Sequence, residues 1–344
     1  MTRVLLDARK ARDFGIGRYI VGLLGALARR GDFELQAVVH PRDRDLLPPG
    51  VAPILSEAAH YSVGELVAVR KAIRSARPDL FHAPHYVVPL APPRRTVVTI
   101  HDLMHLSRAE HASPLKRIYA RAMIGRAVRS AARIVTVSET ARGELVGAFP
   151  SAAEKTVVIP NGVGGEFFEA VPDAGGAPYL LFLGNDKPHK NLDGLLAAFA
   201  LLRAAHPRLR LLLAGVPPGK RSASGVEPLG YVADAELPPL VAGARALVLP
   251  SFAEGFGLPV LEAQAAGTPV ACSDIPVLRE TSGDAAVFFD PHAPESIART
   301  VAALLRDEAE RSRVRNLGRE RAAAMTWDRA AARTASVYRE VLAG

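Results

Sequence analysis

Cysteine is nearly absent. The 344 residues contain one, Cys272, so no disulfide framework exists and a reducing compartment is the expected home. Aromatic residues make up 6% of the chain and do not interleave with the basic ones, which argues against a nucleic-acid-binding platform. No stretch approaches the roughly 18 consecutive apolar residues needed to span a bilayer, and no long polar tract indicates disorder. The opening "MTRVLLDARK" has its apolar run cut off by Asp7 and does not predict a secretory leader. These absences point to a folded protein of the cytoplasm that touches membranes, if at all, from their inner face.

What is present is apolar content (49%) and basic charge (+8). At roughly 100–200 residues per domain, the length predicts two domains, each able to bury a core. Through residue 170 there are 24 Lys and Arg against 16 Asp and Glu, and beyond it 19 of each, so the whole excess lies in the first half. Residues 108–133 carry seven basic side chains and one acid, Glu110. Anionic lipid, nucleic acid or a phosphorylated substrate would each answer that charge. On a helical wheel the basic and apolar residues of 114–130 overlap, which gives an amphipathic membrane helix little support.

Strand and helix alternate twice along the chain. "RVLLDA", "ELQAVVH", "DLFHAP", "RTVVTIHD", "RIVTVS" and "KTVVIPNGV" read as strands of the first half. Helices are expected from "DFGIGRY" to about Arg30 and from Ser113-Pro114, with serine as cap. Residues 164–178, rich in glycine and proline, read as the linker. The second half restarts with "YLLFLG", a helix from Leu192 to His206, "LRLLLAG", a helix near 234–243, "ALVLPS", "PVACS" and "AAVFF". Near-continuous apolar strands alternating with helices predict two doubly wound parallel sheets, an α/β class, facing across a cleft. In such sheets ligands bind beyond the carboxyl ends of the strands.

Two strand-to-helix junctions of the second half look prepared for an anion. In "PSFAEGFGLPVLEAQAAGTPV", Pro259 suits a first helical turn and Gly267 its end. The amides of Phe256, Gly257 and Leu258 are then free to face a bound anion. Glu254 on the loop must face hydroxyl donors or positive charge. In "LFLGNDKPHKNL", Asn191 caps a helix and Lys190 precedes the cap, where a cation is unfavourable unless an anion neutralises it. A diphosphate would satisfy both junctions.

Taken together, Glu254 and Glu262 spaced as E-x7-E, "GNDKPHKNL", "LGYVADAEL", "VIPNGV", "GIGRYI", "TIHDL" and "VTVSE" resemble the retaining family 4 (GT4) glycosyltransferases of the GT-B fold. These motifs occur in the family's order over nearly the whole chain. The resemblance implies an acceptor domain over 1–165, a nucleotide-sugar domain over 166–325, and a last helix, 326–344, that returns to the first domain. It implies that Glu254 meets the donor sugar, Glu262 the ribose, and Lys190 with the amides of Phe256, Gly257 and Leu258 the diphosphate. Tyr231 and Val232 would meet the base, His101 the sugar, and Gly17 the phosphates. His85 and Asp102 would lie on the acceptor side. Asn185 stands where many members carry arginine, so the diphosphate rests more heavily on Lys190.

The implied reaction moves a hexose from a nucleotide-diphosphate sugar to a hydroxyl of a glycan or lipid-linked acceptor, with retention and without metal or further cofactor. Mannose from GDP-mannose leads, and a UDP-sugar is the alternative. No nucleic-acid partner is expected, and contact with anionic membrane through the basic first half is.

Other readings weigh less. His82-x-x-His85 and His101-x3-His105 supply nitrogen ligands, but no cysteine or acid completes a zinc spacing. Asp43-Arg44-Asp45 reads as a solvated turn. Gly15-Ile16-Gly17 begins a dinucleotide fingerprint that fails at Ile20. A sugar-nucleotide epimerase and a non-catalytic carbohydrate-binding protein remain the rival readings. Ser138 suits a helix cap, Cys272 the core, and Trp327 the head of the last helix.

Overall fold

Short apolar runs such as RVLLD, TVVTI and YLLFL lie in strands, almost all of whose residues are buried, as helices on both faces of a parallel sheet demand. A computed structural model describes residues 1–57, 63–107, 114–172 and 177–344. The chain divides into two compact units, one of Met1–Gly162 with Thr326–Gly344, the other of Val163–Met325.

In the first unit the strands are β1 (Arg3–Asp7), β2 (Glu34–Val39), β3 (Val51–Leu55), β4 (Leu80–Ala83), β5 (Thr96–Ile100), β6 (Arg133–Thr136) and β7 (Thr156–Val158). They run parallel in the order β3-β2-β1-β4-β5-β6-β7. Helices α1 (Phe14–Arg30), α2 (Val63–Ala76), α3 (Met104–Ser107), α4 (Pro114–Ser130) and α5 (Glu139–Ala148) connect them.

The second unit begins with α6 (Gly165–Phe168). Its strands are β8 (Tyr179–Leu183), β9 (Arg210–Ala214), β10 (Val226–Gly230), β11 (Ala246–Leu249), β12 (Val270–Ser273) and β13 (Val287–Phe289), in the parallel order β10-β9-β8-β11-β12-β13. Its other helices are α7 (Leu192–Ala205), α8 (Leu237–Ala242), α9 (Leu258–Ala265), α10 (Pro276–Ser282), α11 (Pro294–Arg306) and α12 (Glu308–Ala323). The last helix, α13 (Trp327–Ala343), belongs to the first unit.

Both sheets are doubly wound, as the alternation predicts. Each reverses its strand order once, between β1 and β4 and between β8 and β11. Connections leave such a reversal in opposite directions and open a crevice beyond the carboxyl ends of those two strands.

Two strands, β3 and β10, escape the sequence pattern. Both contain a proline, Pro53 or Pro228, and both lie at a sheet edge, where a missing N–H is tolerated. The expected linker at 164–178 is also corrected. Val163 donates to Met325 O at 3.0 Å and Phe167 is buried, so the stretch opens with α6 packed within the second unit. Residues 173–176 of that stretch, and the Ser113 cap, lie outside the described residues. Asp43 is not solvated: it is 2% exposed and pairs with Arg12, while Asp45 is open.

Helix α13 is fastened to the first sheet by polar bonds in an apolar core. The Trp327 indole occupies the space a side chain at Gly22 of α1 would need. His82 lies inside β4 rather than after it, with Nδ1 2.6 Å from the Tyr338 hydroxyl and Nε2 2.8 Å from Thr99 Oγ1. Thr99 Oγ1 is also 2.8 Å from the Tyr19 hydroxyl of α1. All four residues are buried. Burial, with His101 adding to it, lowers the His82 pKa to about 3.

The folded chain therefore keeps His82 neutral where the unfolded chain takes up a proton below pH ~6.5. Stability is complete above that value and falls as pH drops toward 3. The thermal midpoint should decline between pH 6.5 and 4.5, and His82→Gln should flatten part of that decline, since His101 titrates in the same direction. A variant with the unchanged acid slope would refute this account.

Candidate functional site

The carboxyl ends of β8 and β11, the reversal point of the second sheet, carry Lys190 and Glu254. Pro188–Lys190 form a single 3-10 turn after β8, and Asn191 then caps α7 through Gly194 N. Lys190 Nζ donates to Glu254 Oε1 at 2.7 Å, with the two side chains 12% and 8% exposed. Ser251 Oγ donates to the same Oε1 at 2.6 Å. That oxygen is saturated. Oε2 and the remaining ammonium protons have no protein partner among the described residues. An acceptor and a cation therefore stand side by side, each with capacity left for a ligand.

The neighbouring loop adds donors. Gly257, with φ +95°, ends the loop and begins α9. The amides of Phe256, Gly257 and Leu258 make no hydrogen bond among the described residues, although all three residues are buried. Amides at a helix start have no intrahelical partner, and an anion there supplies one. Thr281 Oγ1 donates to Phe256 O at 2.5 Å and holds the loop from behind. Asn185 Oδ1, beyond β8, is likewise buried without a partner.

The other expected residues of this unit lie farther along its elements. Glu262 is 3% exposed inside α9. Tyr231, 79% exposed, and Val232 follow β10 at the sheet edge, two strands from β8. Two strand spacings are about 10 Å.

The first unit gathers its own group at its own reversal point. A cavity of about 70 Å³ is lined by Lys10, Ile16, His85, Tyr86, His101 and Asp102. His101 Nε2 lies 2.9 Å from Pro84 O, and a carbonyl can only accept, so Nε2 carries the proton. Burial lowers the His101 pKa to about 4, so the ring is neutral at pH 7 with Nδ1 as its acceptor. The Tyr19 ring stands edge-on to it at 4.7 Å.

His85 Nδ1 accepts from Val87 N at 3.1 Å and its Nε2 lies 3.8 Å from Asp7 Oδ2. Burial raises the Asp7 carboxyl, but the Arg9 guanidinium at 2.7 Å outweighs this and leaves it below the usual range. Asp102 Oδ1 accepts from Met104 N at 3.0 Å and so starts α3.

Gly17 has a reason inside the unit: a Cβ there would lie 2.3 Å from Ala11 O, so the glycine lets the loop after β1 cross α1. Sequence reasoning missed Ser251, whose signal was its place just after β11, and Lys10, which had only its place after β1. Cys272 is fully buried, with its thiol pushed up to about 12 by burial. Ser138 caps α5 through Ala141 N at 3.0 Å. The His105 side chain is outside the described residues. Among those residues, no group of three or more His, Cys, Asp or Glu is placed to hold a metal ion.

Comparison with known proteins agrees with the two doubly wound sheets. Residues 15–165 match the glycosyltransferase family 4 model and residues 165–321 the glycosyl transferases group 1 model. The O-antigen chain mannosyltransferase B of Escherichia coli is 28% identical, over 94% of this chain and 96% of its own. The D-inositol 3-phosphate glycosyltransferase of Thermobispora bispora is 32% identical, over 74% and 66%. Among solved structures, the sucrose-phosphate synthase of Thermosynechococcus elongatus superposes with a TM-score of 0.82 at 19% identity, covering 100% of both chains. With its two doubly wound sheets and these matches, the chain belongs to the family 4 glycosyltransferases of the GT-B fold and is a transferase enzyme.

Proposed function

We propose that this enzyme moves a hexose, mannose from GDP-mannose first, to a hydroxyl of a glycan or lipid-linked acceptor, retaining the anomeric configuration and using no metal ion. The observation that carries the reading is the Lys190–Glu254 pair beside three amides with no hydrogen bond among the described residues. The O-antigen mannosyltransferase relative supports mannose. The relative named for inositol 3-phosphate supports a phosphorylated acceptor. A UDP-sugar is the alternative donor.

The chemistry follows from charge. The bond between the anomeric carbon and the diphosphate oxygen breaks, and its electron pair leaves with the diphosphate. Lys190 and the amides of Phe256, Gly257 and Leu258 receive that negative charge. Glu254 Oε2 faces the positive charge left on the sugar. The acceptor hydroxyl attacks from the side the diphosphate departs, and its proton passes to a phosphate oxygen. Asn185 faces the diphosphate, Glu262 the ribose, and Tyr231 with Val232 the base. In the first unit, neutral His101 offers Nδ1 to a sugar hydroxyl, with His85 and Asp102 on the acceptor side. The fixed ammonium takes the place a divalent ion would otherwise fill.

Membrane contact in this reading runs through α4. Ile124, Ala127 and Val128 face the core, while Leu115, Ile118 and Tyr119 are exposed beside the exposed Arg117 and Arg121. Apolar residues on both faces explain the overlap on the helical wheel. Such a face suits anionic lipid. Among the described residues no helix is long and apolar enough to cross a membrane.

Thermal-shift screening across nucleoside diphosphates names the base, since a ligand at 100 times its dissociation constant adds about 2.7 kcal/mol. GDP should raise the midpoint most; a larger shift with UDP would move the donor assignment. Lys190→Ala and Glu254→Gln should each lose on the order of 10²–10³-fold in kcat while circular dichroism stays unchanged. EDTA should leave turnover intact, and the product's anomeric proton coupling should match the donor's. Near-normal transfer by both variants would sink the mechanism. Flotation with liposomes should rise with anionic lipid content and fall in an Ile118→Ser, Arg121→Ser double variant. Indifference to anionic lipid would remove the membrane contact.

A further inference from the structure

Asn191 meets three constraints at once. Its backbone is left-handed, with φ 51° and ψ 43°, and the residue is 8% exposed. Its Oδ1 accepts from Gly194 N at 3.3 Å and caps α7. Its Nδ2 donates to two carbonyls from separate loops, Pro250 O at 3.1 Å and Pro291 O at 2.7 Å. The cap needs only an oxygen, which Asp or Ser would provide. The left-handed backbone would accept Gly or Asp. Two donations from a short side chain need a carboxamide. The donors, and neither the cap nor the turn, are what call for asparagine here.

What those donors tie together is the candidate site. Pro250 is the residue before Ser251, whose hydroxyl is on Glu254. Lys190 is the residue before Asn191. A second bond, Phe252 N to His189 O at 2.8 Å, joins the same two loops. Beside that backbone bond, the Asn191 side chain holds the loop bearing Lys190 against the loop bearing Glu254, and it alone of the two ties them to the segment after β13.

We propose that Asn191 is a positioning residue whose carboxamide sets the Lys190–Glu254 contact. The proposal rests on the reading of that pair as the donor-binding charge pair. In Asn191→Asp the cap oxygen and the tolerated backbone remain, but a carboxylate oxygen replaces the donor and faces two carbonyl oxygens. The two loops then part on the Asn191 side, pivoting on the Phe252–His189 bond, and the ammonium leaves the carboxylate, with α7 still capped.

Competitive acetylation of the full chain with acetic anhydride, read by mass spectrometry, tests this without any transfer assay. In the parent protein Lys190 should react about tenfold more slowly than the exposed Lys187, the size expected when one charge-assisted hydrogen bond shields an amine. In Asn191→Asp that ratio should close to within about threefold, while kcat with the preferred nucleotide sugar falls by about tenfold or more. In a Lys190→Ala background the second change should add little, because the residues act as one unit. Asn191→Gly, which keeps the left-handed backbone and loses both donors, should close the labelling ratio as well and serves if Asn191→Asp misfolds.

An unchanged labelling ratio in both variants would overturn the proposal and leave the transferase reading standing. A parent protein that transfers sugar from no nucleotide sugar would overturn that reading instead, and the labelling ratio would still decide the role of Asn191.

Discussion

Two opposite charges in contact, with the side chains only 12% and 8% exposed, govern the second unit. Bringing an ammonium and a carboxylate out of water costs more than their attraction returns unless further hydrogen bonds satisfy them. Ser251 supplies one such bond to the carboxylate, and the ammonium keeps protons with no protein partner. Such a pair is weak as a stabilising device. In the function proposed above, the pair meets a ligand that is itself divided in charge, a nucleotide sugar separating into a diphosphate and a positive sugar.

Topology explains where the pair stands. Each sheet reverses its strand order once, and the candidate residues collect at those reversals: Lys190 after β8 and Glu254 after β11, Lys10 after β1 and His85 after β4. The crevice there exists because the helical connections leave on opposite faces. The supporting contacts come from farther along the chain. Asn191 reaches Pro291, and Thr281 reaches Phe256, so the second site is assembled from four separate segments of one unit.

Much of this was legible in the residues. Cap and breaker positions placed Asn191, Ser138, Pro259 and Gly267, because those rules are local and act within one turn. The apolar strands of the sheet interiors were legible for the same reason. The edge strands β3 and β10 were not, since their prolines are acceptable only at an edge, and an edge is a property of the assembled sheet. Asp43 was taken for a solvated acid because its partner, Arg12, lies 31 residues away in sequence. His82 was weighed as a possible metal ligand because its partners, Thr99 and Tyr338, lie 17 and 256 residues away.

Sequence alone determined the class of fold, the alternation that gives two doubly wound sheets, and the glycine and proline punctuation. Each of these follows from periodicity or from backbone geometry within a few residues. Tertiary structure decided which of those side chains meet: that Lys190 touches Glu254, that Ser251 saturates one carboxylate oxygen, and that Gly17 serves a loop crossing inside its own unit. Hydrogen bonds and ion pairs act over about 3 Å, and which distant segments come that close is settled only when the strands have paired and the helices have packed.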